Sequence, residues 1–587
     1  MTQRRELHAW RQRPLGSAVP TLLVAVALAW ARAGHGQTEP APRLGNEAPG
    51  AAAVSSSLSD ALPDNDVIMR ALTAELDRAM SDLTLEGLDR PYFVQYTVED
   101  RVEYNVSATY AAITDSQRSR GRVCYTQVRV GDSSLDNTNF LRGRGGNAAR
   151  LPIEDDELAM RQGIWRATDG DYKQAVESLT RKQAYLKDKT IEDRPADFSP
   201  AEKVVHLDPS AELVFDQPAW EQRARALSAR FAEHTRIQDA AVRVWSAAAN
   251  SFVVNSEGTR LRDGDTGALV AIEAELQADE GMTLSDSLAY FAPRADLLPT
   301  QETMLADIDE LCGRLSRLAE SPVLESYTGP VLFAGKAAPQ MFAALLARGL
   351  AGQPDPVGSP RRSSGIGASL EPKLGLRILP RSYQAHDDPS VAEFGEEYLA
   401  GHYEYDDEGV PGQRVSLVEN GILKDLVMSR SPTKKRQVTN GHGRGRGASI
   451  SAAVSNLFIS DSEGMSDEEL RQEFINACKE EGLEFGLKVT ALKGSGRGGL
   501  PDPLYAYKVY VADGREEQVR GIEFGQVQVR ILKRILASGT QQHVHNSIGG
   551  TSSSIISPSV LIEELEANKI IQEFDKPPVL ASPLARE

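Results

Sequence analysis

The sequence of 587 residues has few cysteines and fewer basic than acidic side chains. Cys124, Cys312 and Cys478 are too few for a disulfide framework and cannot all pair with one another. Lysine and arginine number 65 against 83 aspartate and glutamate, a formal charge of −18. Because phosphate binding needs a positive surface, this charge argues against a nucleic-acid partner. The fold must therefore depend on its hydrophobic core.

Long hydrophobic runs are also missing beyond the N-terminus. Arginines at positions 4, 5, 11 and 13 precede the apolar run Leu22–Trp30, and Ala31-Arg32-Ala33 follows it. This pattern predicts a secretory signal peptide over residues 1–33, which is too short to span a membrane comfortably. The alternative is an uncleaved N-terminal anchor. Residues 34–63, rich in Ala, Pro, Gly and Ser, are predicted to be a disordered linker. We expect an exported protein, periplasmic or extracellular, with no membrane contact after cleavage.

The remaining chain has room for two domains, predicted at residues 64–320 and 321–587. In the first, apolar periodicity predicts helices at 64–83, 155–188, 220–233 and 305–318, mixed with strands at 92–98 and 123–130 and two short strands within 242–254. This order indicates a mixed α/β N-terminal domain in an α+β protein, without regular βαβ alternation.

The second half predicts a strand-rich antiparallel domain. Asn420-Gly421 separates two alternating apolar segments and favours a type I′ hairpin turn. Ser466 and Glu469 have the spacing of a capping box at the start of a helix whose apolar face includes Cys478, which we expect to be buried. The segment 504–511 is predicted to be a strand, and 559–565 a short final helix.

One further helix is predicted over Ala337–Gly352, and the functional interpretation depends on it. Pro339 is tolerated in its first turn, and Met341, Phe342 and Leu345 give the spacing of a buried face. From composition alone it is an ordinary core helix.

Several short motifs of the second half resemble, in order, those of the TldD/PmbA family of metallopeptidases. They are Leu374-Gly-Leu-Arg-Ile-Leu-Pro380, His386-Asp-Asp-Pro389, Tyr405-Asp-Asp-Glu-Gly-Val-Pro411, Leu417-Val-Glu-Asn-Gly-Ile-Leu-Lys424, Asn440-Gly-His-Gly-Arg444 and Asp502-Pro-Leu-Tyr-Ala-Tyr-Lys508. The first half matches more weakly, at Val130-Gly-Asp132 and Asn255-Ser-Glu-Gly258. The resemblance implies a two-domain TldD/PmbA-like α+β fold.

The resemblance also implies a zinc site that this chain has lost. Active members carry His-Glu-x-x-x-His on a helix ahead of these motifs, and a cysteine near the C-terminus completes the site. The corresponding positions here are Ala343, Ala344 and Arg348, and no cysteine follows Cys478. Alanine has no donor atom, and a protonated guanidinium offers no lone pair. No catalytic residue or cofactor is therefore expected.

Other residues of the chain are weaker candidates for a metal site or a nucleophile. His543 and His545 would lie on one face of a strand and form an alternative, relocated zinc site. Residues 406–409 lack the spaced oxygens of a calcium loop and are interpreted as a turn. His442, between Gly441 and Gly443, is also interpreted as part of a turn. No Gly-x-Ser-x-Gly elbow supports a nucleophilic serine. Arg348 is either an exposed residue at the helix edge or a candidate ligand for a peptide carboxylate.

Three functional hypotheses follow. The first is a metal-free subunit or pseudoenzyme that binds extended peptides, as a homodimer or as a heterodimer with a metal-bearing homologue, because the resemblance implies paired subunits. The second is an active metallopeptidase with relocated ligands. The third is a peptide-binding scaffold without a peptidase partner.

Overall fold

The computed structural model describes residues 66–140, 146–189, 193–359, 369–446, 449–494, 499–549, 551–580 and 582–584. Six α-helices lie within these ranges: α1 (Val67–Asp82), α2 (Glu157–Asp188), α3 (Gln217–Ala229), α4 (Gln301–Glu320), α5 (Ala337–Leu345) and α6 (Asp467–Glu480). In this part of the chain, no helix combines the length and the apolar character needed to cross a bilayer. The predicted signal peptide and linker lie outside the described residues.

The first sheet contains seven strands: β1 (Pro91–Thr109), β2 (Ala112–Val130), β3 (Asn147–Leu151), β4 (Val205–Leu207), β5 (Asp239–Asn255), β6 (Arg260–Gln277) and β7 (Thr283–Ala292). Their order is β3-β2-β1-β5-β6-β4, with β7 also beside β6, and only β4 pairs in parallel. The prediction of two short strands within 242–254 is wrong, because β5 runs unbroken through its alanine-rich middle, paired with β1 and β6.

Two hydrophobic cores lie at opposite ends of the same face of this sheet. Val94 and Val98 of β1 pack with α1 and α2, whereas Tyr104 and Val106 pack with α3 and α4. These residues all have even numbers in one strand, so their side chains point to one face. The long strands therefore hold two helix pairs side by side.

The second half of the chain contains the strands β8 (Ser326–Phe333), β9 (Ala351–Gly352), β10 (Tyr383–Asp387), β11 (Glu393–Phe394), β12 (Glu397–Tyr398), β13 (Val415–Glu419), β14 (Ile422–Leu423), β15 (Val427–Met428), β16 (Gly443–Arg444), β17 (Ser451–Ala452), β18 (Asn456–Asp461), β19 (Phe485–Leu492), β20 (Pro503–Tyr510), β21 (Glu516–Val519), β22 (Ile522–Phe524), β23 (Ile535–Ser547) and β24 (Ser553–Lys569). The main sheet runs β14-β13-β10-β18-β24-β8-β19-β20-β21, with β22 and β23 also paired to β24. Most strand pairs of this sheet are antiparallel, as predicted, and the exceptions are β24 with β18 and β19 with β8, which pair in parallel.

The predicted helix at 559–565 is wrong. This segment belongs to β24, which pairs with β8, β18, β22 and β23. Val560 and Ile562 face the core under α5, and Leu561 faces the smaller core under α6. Burial on both faces explains the continuous apolar run, and these tertiary contacts override the helical preference of the adjacent Glu-Glu-Leu-Glu.

The local signals of the second half are confirmed. Asn420 and Gly421 both have positive φ, 51° and 73°, as a type I′ turn between β13 and β14 requires. Ser466 and Glu469 form a complete capping box at the start of α6. Cys478 is 1% exposed, as expected for a buried hydrophobic residue.

The protein has a two-domain α+β fold. Every strand of the first sheet precedes Ser321, and every strand of the second follows it. The precise boundaries of the domains at residues 320 and 321 stay a prediction.

Replacing Ile562 tests the central position of β24. Ile562→Ala removes a fully buried side chain from a close-packed core, and we expect the free energy of unfolding to fall by about 2–5 kcal/mol. Leu536→Ala, at a residue of β23 that is 49% exposed, is the matched control and should change it by less than about 0.5 kcal/mol. Urea unfolding followed by tryptophan fluorescence measures both. Equal losses in the two variants would contradict the buried position of Ile562.

Candidate functional site

Helix α5, which the resemblance aligns with the family's metal site, is shorter than the sequence predicts. It ends at Leu345, and a 3₁₀ turn over Ala347–Leu350 leads into β9. Gly352 lies against Met428 where β9 meets β15, so closely that a Cβ would come within 2.2 Å of the Met428 sulfur. A larger residue at position 352 would therefore have to displace the Met428 side chain.

The packing face of α5 is complete. Met341, Phe342 and Leu346 are fully buried in the largest core, with Phe333 of β8 and Val560 of β24. This agrees with the interpretation of α5 as a core helix, and it fixes the helix on one face of the second sheet.

The three positions that correspond to the family's ligands lie at the edge of this packed face. Ala343 and Ala344 are half-buried on α5, and their methyl groups contact the same core. Arg348 lies in the 3₁₀ turn and is exposed. Two methyl groups and a guanidinium provide no lone pair for a zinc ion, so the residues present do not fit the metal that the family implies.

The alternative zinc ligands His543 and His545 lie in different surroundings. His543 Nε2 is 3.3 Å from Ser559 Oγ, in a cavity of about 240 Å³ between the end of β8 and α6. This cavity also contains Leu332 and Phe474 from the core under α6, so His543 faces away from the core under α5.

Both imidazoles are shifted towards the neutral form. Burial lowers the pKa of His543, while Asp467 acts in the opposite direction. Burial, and then the charge of Lys336, lower the pKa of His545 to about 4. A neutral imidazole can bind zinc, but a lysine cation beside it opposes a second cation. Among the described residues, no group of three or more His, Cys, Asp or Glu side chains could hold a metal ion.

The histidine and aspartate of two family motifs meet in the interior. His442 Nε2 is 2.9 Å from Asp387 Oδ1, and both side chains are fully buried. The Ser455 hydroxyl donates to the same carboxylate, and His442 Nδ1 faces the Asn440 carbonyl oxygen at 3.0 Å. A serine, a histidine and an aspartate are thus adjacent, but burial keeps them from substrate. Their hydrogen bonds join the end of β10 to the segments around β16 and β18.

The acidic motif at 406–409 binds the backbone rather than calcium. Asp406 Oδ1 accepts the Glu408 and Val410 amides at 2.9 Å, and Oδ2 accepts the Gly443 amide at 2.7 Å. Burial and the neighbouring Glu408 raise the pKa of Asp406 to about 7. The interpretation of this segment as a turn agrees with its geometry, including Gly409 at φ 76°.

Arg430, which the sequence did not single out, connects the two halves of the chain. Its backbone amide donates to Glu408 at 2.6 Å, and its guanidinium reaches Glu257 at 2.7 Å and the Ser199 carbonyl oxygen at 2.9 Å. The guanidinium carbon also lies 3.9 Å from the ring centre of Phe198. Glu257 belongs to the Asn-Ser-Glu-Gly motif of the first half. This motif was the one sequence feature that could have indicated the contact, because nothing in the sequence around Arg430 distinguishes that residue.

Comparison with known proteins gives the relationship. Residues 326–569 match the model of the PmbA/TldA metallopeptidase C-terminal domain. A protein of Archaeoglobus fulgidus named metalloprotease is 32% identical over 105 residues, 18% of this chain and 23% of the relative. A metalloprotease of Methanocaldococcus jannaschii is 36% identical over 89 residues, 15% of this chain and 19% of the relative. The aligned stretches thus span less than a quarter of either relative.

The fold is similar over a much larger part of the chain. The crystal structure of TldE from Thermococcus kodakarensis superposes with a TM-score of 0.55 at 14% identity, over 85% of this chain and 99% of that one. The second-half domain, its metallopeptidase-like sequence and the overall architecture define a metallopeptidase-related α+β protein. Residues 326–569 match a domain of the TldD/PmbA family, and the likeness of the whole chain to TldE is one of fold.

Arg430 gives a test of the contact between the two halves. Arg430→Ala removes a buried guanidinium, with its hydrogen bond to the Ser199 carbonyl oxygen and its ion pair with Glu257. Because hydrogen bonds to charged groups contribute about 1.5–3 kcal/mol, the free energy of unfolding should fall by about that amount. Arg118→Ala, at an exposed position of β2, is the control and should change it by less than about 0.5 kcal/mol. Urea unfolding measures both free energies. An exposed ion pair contributes at most about 1 kcal/mol, so a smaller loss in Arg430→Ala would refute the role assigned to Arg430.

Proposed function

We propose that this protein is a metal-free, non-catalytic subunit or pseudoenzyme of the TldD/PmbA family. It binds extended peptides and acts in proteolysis together with a metal-bearing partner. The observation that carries the proposal is the chemistry of three positions on and after α5: Ala343 and Ala344 have no donor atom, and Arg348 is a cation. The names of the similar metalloproteases supply the reaction class.

The packing of α5 supports a retained scaffold rather than a decaying one. Phe342, Leu345 and Leu346 keep their buried face although the ligand positions differ. Because the half-buried positions 343 and 344 carry alanine, the best helix former, α5 needs no metal to be stable. A subunit of this kind can support a partner's chemistry without its own.

Peptide binding would use backbone pairing and an anionic end group. β21 is the outer strand of the second sheet and pairs on one side only within the described residues, so an extended peptide can add to it. Arg348 offers an exposed guanidinium for a peptide carboxylate.

Two lysines lie close together in the region next to the Arg348 turn. The Gly349 carbonyl accepts the Leu370 amide at 2.8 Å, which brings the segment of Lys373 beside the turn. Burial and the neighbouring Lys533 lower the pKa of Lys373, so two cations lie close together there. An anionic group bound in this region would reduce their mutual repulsion.

Export to the periplasm or the extracellular space is part of the proposal, based on the signal sequence at residues 1–33. After cleavage the protein would act away from the membrane. The first residue of the mature protein, determined by N-terminal sequencing, distinguishes a cleaved signal from an anchor.

Co-purification tests the partnership. The full chain, expressed with a TldD/PmbA homologue that keeps His-Glu-x-x-x-His, should form a stable complex with it. The amount of zinc in this complex should match the amount of the homologue, with none contributed by this chain. Elemental analysis combined with light scattering measures both quantities. A chain that stays monomeric and never associates with the homologue contradicts the proposal.

Arg348→Ala tests the carboxylate site. A hydrogen bond to a charged group contributes about 1.5–3 kcal/mol, so affinity for peptides with a free C-terminal carboxylate should fall at least about tenfold. The same peptides with an amidated C-terminus provide the matched comparison and should bind both proteins equally. Fluorescence anisotropy measures the affinities, and Arg118→Ala controls for the loss of one surface charge. An equal effect on both peptide forms would contradict the assignment.

The second candidate is a metallopeptidase that holds zinc through His543 and His545. Stoichiometric zinc that disappears in His543→Ala and His545→Ala would establish it in place of the first proposal. A variant with Ala343→His, Ala344→Glu and Arg348→His tests the geometry of α5 itself. A peptide-binding scaffold is the third candidate, distinguished by peptide affinity without any peptidase partner.

A further inference from the structure

The cavity of about 240 Å³ beside α6 lies on the face of the second sheet opposite to α5. Its walls are apolar and come from Leu332 of β8, Val509 of β20, and Leu470 and Phe474 of α6. Sites for drug-sized ligands have volumes of about 300–1,000 Å³, so a smaller molecule fits this cavity. Apart from His543, none of the residues around it has a role in the proposed function.

The sheet side of the cavity carries two neutral polar side chains that contact each other. His543 Nε2 lies 3.3 Å from Ser559 Oγ, which accepts the Gly335 amide at 3.1 Å. Ser559 is 5% exposed. No described residue binds the other ring nitrogen of His543, so this nitrogen can bind a polar group of a ligand.

Two cations at one end of the cavity share a single carboxylate. Lys488 Nζ lies 3.0 Å and 3.1 Å from the two carboxylate oxygens of Glu516, and Arg471 Nε lies 3.7 Å from the first of them. The Arg471 guanidinium also donates to the Gly514 carbonyl oxygen. Because one carboxylate neutralises only one of two positive charges, this end of the cavity favours an additional anionic group.

Two carboxylates lie at the other end of the cavity. Asp467 and Glu468 begin α6, and neither forms an ion pair in the ranges that the structure describes. Burial lowers the pKa of His543, and the charge of Asp467 opposes this shift, so the carboxylate is close to the imidazole. This end of the cavity therefore favours a cationic group.

The separation between the two ends follows from the helix. Asp467 and Arg471 are four residues apart in α6, which corresponds to a rise of about 6 Å. In an extended dipeptide the terminal nitrogen and the terminal carboxyl carbon are also about 6 Å apart, whereas in a single amino acid they are about 2.5 Å apart.

We propose that this cavity binds a small zwitterion whose ammonium and carboxylate groups are about 6 Å apart, which is the chemistry of a free dipeptide with an apolar side chain. The ammonium group contacts Asp467 and Glu468, and the carboxylate contacts Arg471 and Lys488. The apolar side chain packs against Phe474, and the peptide group faces the neutral pair on the sheet.

This site is independent of the proposed function, which uses the exposed edge of β21 and the guanidinium of Arg348. A partner subunit or an extended peptide is not needed for a dipeptide to bind beside α6. Either proposal can fail while the other holds.

Isothermal titration calorimetry of the full chain with the dipeptide Ala-Leu tests the ligand. Ala-Leu should bind, and its N-acetylated and C-amidated forms, which each lack one charge, should bind at least about tenfold more weakly. Free leucine and a tetrapeptide of the same two residues, with charges about 2.5 Å and 13 Å apart, should lose affinity by a similar factor. No binding of Ala-Leu at millimolar concentration overturns the proposal, as does equal affinity for the capped forms.

Variants of α6 test the location. Asp467→Asn and Arg471→Gln, one at each end of the cavity, should each lower the affinity for Ala-Leu about fivefold, the upper range for a solvent-exposed ion pair. Glu473→Gln and Lys479→Gln remove the same charges at exposed positions of α6 outside the cavity, and should leave the affinity unchanged. Arg348→Ala should also have no effect. Binding that is lost in Arg348→Ala but kept in both cavity variants would assign the dipeptide to the Arg348 turn and overturn the proposal.

Discussion

The second domain depends on one strand, β24, which is buried on both faces. Four strands pair with it, and its side chains alternate between the core under α5 and the smaller core under α6. The positions of both helices follow from this alternation, because each helix must cover one set of apolar side chains. α5 lies against Val560 and Ile562, and α6 lies against Leu561. The location of α5, and with it of Ala343 and Ala344, is thus a consequence of packing on β24.

Signals that act over a few residues were predictable from the sequence, and those that depend on distant contacts were not. The Asn420-Gly421 turn and the Ser466 capping box satisfy backbone groups within four residues, so local chemistry is sufficient. The segment 559–565 was mispredicted because Val-Leu-Ile followed by Glu-Glu-Leu-Glu suits a helix as well as a buried strand. Only its neighbours in the sheet, up to about 240 residues away in sequence, decide between them.

The same distinction applies to the candidate site. The positions of Ala343, Ala344 and Arg348 were identified through the family resemblance, and no pattern in their own residues would have singled them out. The contact of the buried Arg430 with Glu257 spans 173 residues, and nothing in the local sequence of Arg430 indicates it. The partnership of His442 with Asp387 spans 55 residues and was likewise not predicted, although both belong to quoted motifs. His442 and Asp387 are residue types common in catalytic sites, but here they bind each other in the interior.

The positions that the resemblance aligns with metal ligands and the positions that pack α5 are different residues. Phe342, Leu345 and Leu346 bury the helix, whereas residues 343 and 344 are only half-buried and Arg348 is exposed. Replacing a ligand by alanine at a half-buried helical position removes polar atoms that would need partners and adds the residue with the highest helix propensity. Arginine at 348 keeps its charge in water, where it costs little. The packing of α5 therefore does not depend on which residues occupy positions 343, 344 and 348.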